Sequence, residues 1–274
     1  MLKKQAVTYL NEKIMKKVTA SQQPVFASIK ENLECIMDVL DTHKDSDWIL
    51  TPEGSLSGYC ANVCHEGTAE QKEEYFKALD KIETYLIDNK RNLALGTGHY
   101  EQDGFAYNQV RYYSQGQLVS AYNKQRLTRT KSGLGEYYYY MMGTDATVLE
   151  LSGKGPRTGT LICNDAWAFP SASPDGDPYL WNKYAEFGVS NMFVSANCST
   201  DEFDPIIYTW HENHLQMHAK LNSMNVIIAS SSTDMKGNPT KHMQSPSGII
   251  GQDGEWIAKC KDQGMDSVTV ELDI

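Results

Sequence analysis

An α/β fold is predicted on three observations. Short apolar runs of strand character alternate along the chain with segments whose apolar residues recur at helical spacing. No Pro/Gly/Ser-rich linker interrupts that alternation. Three of the strand-like runs end on a reactive side chain, the place where open α/β sheets expose their chemistry. A single domain over residues 1–274, with sheets covered by helices, is therefore expected.

The elements follow in order. Ile14 to Gln22 opens as a short apolar segment that Ser21, Gln22, Gln23 and Pro24 then break. Ile29, Leu33, Ile36, Met37 and Leu40 recur at helical spacing, so residues 25–42 are read as an amphipathic helix. Trp48-Ile49-Leu50 is a compact run that stops at Thr51-Pro52, as a buried strand does. From Thr68 to Asn89 the period is helical again, with Tyr75, Leu79, Ile82 and Leu86 on one face. Leu93 to Leu95, Tyr107 to Tyr113 and Leu118 to Tyr122 are strand candidates, separated by turns read at Gly96, Gly98, Gly104 and Gly116. Thr147 to Leu151 and Thr158 to Cys163 read as strands, Tyr179 to Phe187 as a helix and Met192 to Ser195 as a strand. Trp210 to Leu221 is the last helix, and Val226 to Ala229, Gly248 to Gly251, Trp256 to Ala258 and Val268 to Leu272 are the closing strands.

Composition excludes several classes. With 41% hydrophobic residues, 22% charged and 9 Pro, the chain of 274 residues can bury a core, which rules out disorder, collagen and coiled coil. The balance of 25 Lys+Arg against 35 Asp+Glu gives a net charge of −10, which repels phosphate backbones, so no nucleic-acid partner is expected. Apolar stretches such as Asn225 to Ala229 are far shorter than the roughly 20 residues of a membrane span, so no membrane partner is expected. The start, Met1 to Gln5, leads into polar sequence without a signal-peptide core, and a cytoplasmic location is expected. The six cysteines (Cys35, Cys60, Cys64, Cys163, Cys198, Cys260) are too sparse for a disulfide scaffold and read mostly as buried thiols.

The reactive strand ends are Thr51-Pro52-Glu53-Gly54, the run from Ala121 through Lys124 to Leu127, and Thr160 to Asp165 around Cys163. A carboxylate, an ammonium and a thiol placed in this way suit attack by sulfur on a polarised carbon. A base takes the thiol proton, a fixed cation holds the developing charge, and sulfur bonds covalently. Taken singly, such groups are ordinary: an isolated Glu–Lys pair is most often a surface ion pair, and a lone cysteine ending an apolar strand a core thiol.

In this order, Glu53, Lys124 and Cys163 resemble the nitrilase superfamily of carbon-nitrogen hydrolases. Its members carry Pro-Glu after the second strand, Tyr-x-Lys-x-x-Leu, and Cys followed two residues later by Asp or Glu. Here these are Pro52-Glu53, Tyr122 to Leu127 and Cys163-Asn164-Asp165. Asn92 to Tyr122, with Tyr107-Asn108 and Gly116, is similar to the family's central hairpin, and Ser247 to Gly254 to its C-terminal strand pair.

The resemblance implies a four-layer α-β-β-α sandwich of two mixed sheets flanked by helices. It implies Cys163 as nucleophile, Glu53 as base and then acid, and Lys124 as oxyanion holder together with a backbone N–H beside the cysteine. Glu136, in Gly133-Leu-Gly-Glu136, matches the second glutamate that orients lysine and substrate in many members. Cys163-Asn164-Asp165 is similar to the amidase and N-carbamoyl hydrolase branches rather than to the Cys-Trp-Glu of nitrile-cleaving members. Hydrolysis of a small-molecule amide or ureide is expected, with nitrile hydrolysis or a catalytically silent binding protein as alternatives. Asn164, Trp167 and Tyr137 are the candidate substrate-binding residues. No metal or organic cofactor is expected, and the family's habit of pairing protomers implies a homodimer or larger assembly through 179–187 and 210–221.

Other motifs weigh less. Cys60-x-x-x-Cys64-His65 and the face of His211, His214 and His218 hold zinc-ligand types, but neither is a complete four-ligand set. Asn197-Cys198-Ser199 fits the glycosylation sequon and is expected to be inert without a secretory signal. Gly96-Thr-Gly98 and Gly133-Leu-Gly135 lack the setting of a phosphate loop and read as turns.

Overall fold

The computed structural model describes residues 15–59, 67–101, 104–129, 134–151, 155–167, 180–197, 204–232 and 244–274. Cys60, Cys64, His65, Cys198, Ser199, Gly133, Phe169, Pro170 and Tyr179 lie outside the described residues.

The N-terminal part builds one sheet and its cover. Strand β1 (Met15–Gln22) is followed by α1 (Ile29–Thr42), β2 (Trp48–Leu50), α2 (Ala69–Asp88), β3 (Leu93–Tyr100), β4 (Ala106–Ser114) and β5 (Gln117–Asn123). Helix α1 begins at Ile29, where its apolar period begins and later than the expected start at residue 25, because Ser28 caps it and accepts a hydrogen bond from the Glu31 N–H. Helix α2 has a reciprocal capping box between Thr68 and Gln71. The buried faces of the two helices, with Ile36, Leu40, Tyr75, Leu79, Ile82 and Leu86, pack on Ile49, Leu93, Leu95 and Tyr113 of the sheet. Each fully buried aliphatic side chain there contributes about 1.5–3 kcal/mol.

The second half repeats the plan. It runs through β6 (Val148–Leu149), β7 (Arg157–Ile162), the short helix α3 (Asn164–Trp167), α4 (Leu180–Glu186), β8 (Val189–Ala196), α5 (Pro205–Asn222), β9 (Asn225–Ser230), β10 (Gly248–Ile250), β11 (Trp256–Lys259) and β12 (Asp266–Asp273). Helix α5 starts five residues before its apolar period because Asp204 caps it and Pro205 suits its first turn.

The strand order is β12-β1-β2-β3-β4-β5 in one sheet and β11-β10-β9-β8-β7-β6 in the other. Each has a parallel centre, β1-β2-β3 and β7-β8-β9, with antiparallel arms. The sheets pack face to face. The Tyr112 and Phe193 ring centroids lie 6.2 Å apart, Tyr112 Oη meets Thr160 Oγ1 at 2.6 Å, and Ser195 Oγ donates to the Thr51 carbonyl at 2.9 Å. Trp181, Tyr184 and Leu215 of α4 and α5 join the same core. The architecture is the α-β-β-α sandwich of two mixed sheets. Among the described residues no helix is long and apolar enough to cross a membrane.

Two sequence expectations are corrected. Ser21 and Gln22 do not break the first segment but lie inside β1, fully buried, where the Gln22 amide donates to the carbonyls of Lys261 and Gly264, both at 2.8 Å. Gly96 and Gly98 are not turns but lie in β3. A Cβ at Gly96 would sit 2.3 Å from the Pro52 carbonyl oxygen and 2.4 Å from Ser195 Oγ. Glycine is required there because the backbone next to Glu53 passes against the strand.

Candidate active site

Parallel strands that run the same way deliver their C-terminal ends to the same edge of the sandwich. Glu53 follows β2, Cys163 follows β7 and Asn197 follows β8, while Lys124 follows β5, which runs in the direction of β2. Topology thus gathers residues from four segments at one place.

Glu53 sits in a turn closed by Gly54 and Gly58, with φ of 75° and 78°, where a Cβ on Gly54 would meet the Gly58 carbonyl oxygen at 2.8 Å. One carboxylate oxygen of Glu53 accepts from Lys124 Nζ and from Asn108 Nδ2, both at 2.7 Å. The other accepts from the Asn197 N–H at 2.9 Å. Lys124 Nζ also donates to Glu136, at 2.9 Å and 2.8 Å to its two oxygens, and Asn108 Nδ2 reaches Glu136 Oε1 at 2.8 Å. Glu136 lies on a 3-10 turn, Gly135–Tyr138, and is fixed by the Thr128 N–H, which donates to Oε2 at 2.6 Å.

All these groups are out of water. Burial pushes the Glu53 carboxyl up to about 7; the Lys124 charge works against that and the Glu136 charge adds to it. Burial disfavours the Lys124 ammonium, but the charges of Glu136, Glu53 and Cys163 outweigh it and hold its pKa well above the ordinary lysine value. A proton acceptor that titrates near neutrality and a permanent cation are thus placed side by side.

Cys163 occupies the sharp turn between β7 and α3, with φ of 47°. That conformation is rare for a residue with a Cβ and persists only where the surroundings enforce it. Here the Cys163 N–H donates to the Ser195 carbonyl at 2.9 Å and its own carbonyl accepts from the Ala166 N–H at 2.8 Å. Strand–turn–helix geometry of this kind lifts a nucleophile out of the sheet edge.

Two residues of the assembly had no assigned role in the sequence. Asp165, read only as part of the cysteine motif, is buried and accepts from Tyr122 Oη at 2.8 Å, the Gln125 N–H at 3.0 Å, the Arg126 N–H at 2.6 Å and the Ile162 N–H at 3.1 Å. It fastens the segment after Lys124 to the turn that holds Cys163. Burial lifts its pKa to about 6, with Lys124 and these donors opposing. Asn108, quoted only as part of the hairpin, joins the two glutamates. Neither role has a local sequence signal, because each depends on which strands meet.

The other candidates lie as follows. Asn164 is buried, and its amide donates to the Arg126 carbonyl at 3.2 Å. Trp167 is buried against His211, ring centroids 4.3 Å apart. Tyr137 is half-buried beside Glu136, with the Arg129 guanidinium 4.8 Å from its ring centroid. His211 Nδ1 bonds to the Gln244 carbonyl oxygen at 2.6 Å, His214 stacks on Trp210 and His218 on Trp181. Among the described residues, no group of three or more His, Cys, Asp or Glu side chains is arranged to hold a metal ion.

Comparison with known proteins finds relatives of the same fold. The chain is 25% identical over 160 residues to a glutamine-dependent NAD(+) synthetase of Acinetobacter baylyi, a match covering 57% of this chain and 28% of that protein. A solved glutamine-dependent NAD+ synthetase of Acinetobacter baumannii superposes with a TM-score of 0.73 at 20% identity, over 94% of this chain and 45% of the other. This chain therefore spans less than half the length of those synthetases. An amidase from Nesterenkonia sp. AN1, solved with the acetamide moiety of fluoroacetamide added covalently at its active-site cysteine, superposes with a TM-score of 0.75 at 18% identity, over 94% of this chain and 90% of that one. The carbon-nitrogen hydrolase family model matches residues 17–274. With that match over nearly its whole length, and with the sandwich fold of nitrilase-superfamily amidases, the chain belongs to the carbon-nitrogen hydrolase family.

Proposed function

We propose that this protein hydrolyses the carbon–nitrogen bond of an amide or N-carbamoyl group in a small molecule, through an acyl-enzyme on Cys163. The observation that supports it most directly is the fully buried Glu53–Lys124–Glu136 array, closed by contacts of 2.7–2.9 Å beside a cysteine held at a left-handed turn.

Glu53 takes the thiol proton as Cys163 Sγ bonds to the carbonyl carbon. A free thiol, with a pKa near ~8.5, is mostly protonated at neutral pH and needs such a base. The oxyanion forms against Lys124 Nζ and a backbone N–H beside the cysteine, where loss of one donor costs about 3–4 kcal/mol of barrier. Glu53 returns the proton to the leaving nitrogen as the C–N bond breaks, and a thioester (a thiocarbamate from a urea) remains. Glu53 then takes a proton from water as hydroxide adds to the carbonyl carbon, and the C–S bond breaks to release the acid while Glu53 returns that proton to sulfur and regenerates the thiol. Glu136 holds Lys124 throughout. A carboxyl that titrates near 7 suits both directions of transfer.

The resemblance to glutamine-dependent synthetases supports a second reading, in which the amide is the side chain of glutamine and the product used is ammonia. One panel decides between them. Ammonia release is measured with aliphatic amides, N-carbamoyl amino acids and glutamine, on the wild type and on Cys163→Ala. Turnover is expected to fall by about 10⁴-fold or more in Cys163→Ala. Retained turnover in that variant overturns the proposal, and turnover confined to glutamine selects the second reading.

A further inference from the structure

Asn108 lies on β4, opposite Gly98 of β3, and is buried. Its backbone carbonyl accepts the Lys124 N–H at 2.9 Å, so the residue seats the lysine as well as the acids. Its side-chain nitrogen donates to Glu53 Oε1 at 2.7 Å and to Glu136 Oε1 at 2.8 Å, the same two oxygens that accept from Lys124 Nζ. Both N–H bonds of the amide are used on carboxylates, whereas Asn108 Oδ1, also buried, meets no donor among the described residues.

We propose that Asn108 is a positioning residue: its amide clamps Glu53 and Glu136 onto Lys124 and keeps Glu53 free to accept the Cys163 proton. The inference rests on the reading of Glu53, Lys124 and Cys163 given above.

The physical reason is a count of charges. Two carboxylates share one ammonium in a site buried from bulk solvent, so the array is one positive charge short, and the like charges repel. A neutral amide with two donors satisfies both acids without adding a charge, and a hydrogen bond to the ionised form favours that form. The ionisable groups around Glu53 are Lys124 from the end of β5 and Glu136 from the 3-10 turn, with Cys163 and Asp165 beyond Lys124. Burial and Glu136 raise the Glu53 pKa, and Lys124 and Asn108 lower it. Without the amide, only Lys124 and the Asn197 N–H are left to oppose the first two, and Glu53 retains its proton to higher pH.

The test needs no substrate. The rate at which iodoacetamide alkylates Cys163, followed by peptide mass spectrometry across the pH range, reports the base that takes the thiol proton. In Asn108→Leu the midpoint of that profile is expected to rise by about one pH unit, a tenfold loss of rate below it. Adding Glu136→Gln removes the like charge and is expected to return the midpoint toward the wild type, a recovery that a packing defect does not show. Asn108→Ala, which removes the two donors without adding a charge, is expected to shift the midpoint as far and decides the matter if the leucine variant does not fold. A folded Asn108 variant with the wild-type midpoint overturns the inference, as does a shift that Glu136→Gln leaves unchanged. A shift without turnover of any amide refutes the hydrolase reading alone, and Cys163-dependent turnover without a shift refutes this inference alone.

Discussion

Glu53, Lys124 and Glu136 at the sheet edge, and His211, His214 and His218 on α5, are two polar clusters withdrawn from water by opposite means. The first keeps its charges and pairs them, with contacts of 2.7–2.9 Å. The second gives up charge. Burial lowers His211 and His218 to about 4, and the neutral rings lie against indoles, His218 on Trp181 at 4.8 Å between centroids and His211 on Trp167 at 4.3 Å. A periodic row of histidines on one helix produced an aromatic stack, whereas two unrelated strand ends and a 3-10 turn produced a proton acceptor beside a fixed cation. Proximity along a helix is less informative about chemistry than arrival at a common sheet edge.

Lys124→Met is the strongest way to break the contrast, since it leaves two buried carboxylates without their cation. A loss of about 3–5 kcal/mol of stability is expected above pH 7, together with loss of activity. The penalty grows as pH rises above about 7, where the wild-type Glu53 ionises beside its cation, and levels off below that, where Glu53 is protonated in both proteins. Chemical denaturation on both sides of neutrality measures both effects. Asp165→Asn comes next. The new amide turns a donor toward N–H groups that now face a carboxylate, at a cost of about 2–3 kcal/mol. The denaturation midpoint should fall with an unchanged slope.

The smallest effect appears only in acid. His211 and His218 fall from 6.5 to about 4 in the folded protein, so the unfolded chain binds more protons between those values and stability drops as pH falls through that window. Glu53 and Asp165 act with the opposite sign. Raised from 4.5 to about 7 and from 3.8 to about 6, they hold protons that the unfolded chain has released, and they subtract stability as pH rises through those windows. His218→Phe keeps an aromatic ring against Trp181 and removes the His218 share of the first contribution, leaving that of His211. The melting temperature between about pH 4 and 6.5 should become flatter by the equivalent of about 2 kcal/mol, with no change near pH 8. An unchanged acid limb would show that the stack is not what titrates.

Much of this was legible in the residues. The helical period of Tyr75, Leu79, Ile82 and Leu86 and the compact run Trp48 to Leu50 specify burial on one face or on all sides, and the structure agrees. The meeting of Glu53, Lys124 and Glu136 was expected from motif order alone, and the structure brings these three side chains into contact. What failed were features that depend on a remote neighbour. Gly96 resembles a turn residue until Pro52 and Ser195 are seen pressing on it. Ser21 and Gln22 resemble a break until the carbonyls of Lys261 and Gly264 supply partners for the glutamine. Asn108 and Asp165 resemble hairpin and motif residues until the strand order brings acids to one and N–H donors to the other.

The end of β8 sets a condition on when the thiol can become reactive. Ser195 receives the Cys163 N–H, and the Asn197 N–H holds the free oxygen of Glu53. A growing chain that has emerged as far as α4 already contains Glu53, Lys124, Glu136 and Cys163 but neither of those two seats. The cysteine in such a chain is an ordinary thiol, with the ordinary pKa near ~8.5 and the low nucleophilicity that goes with it. The proposed nucleophile is thus seated by a strand that follows it in the chain.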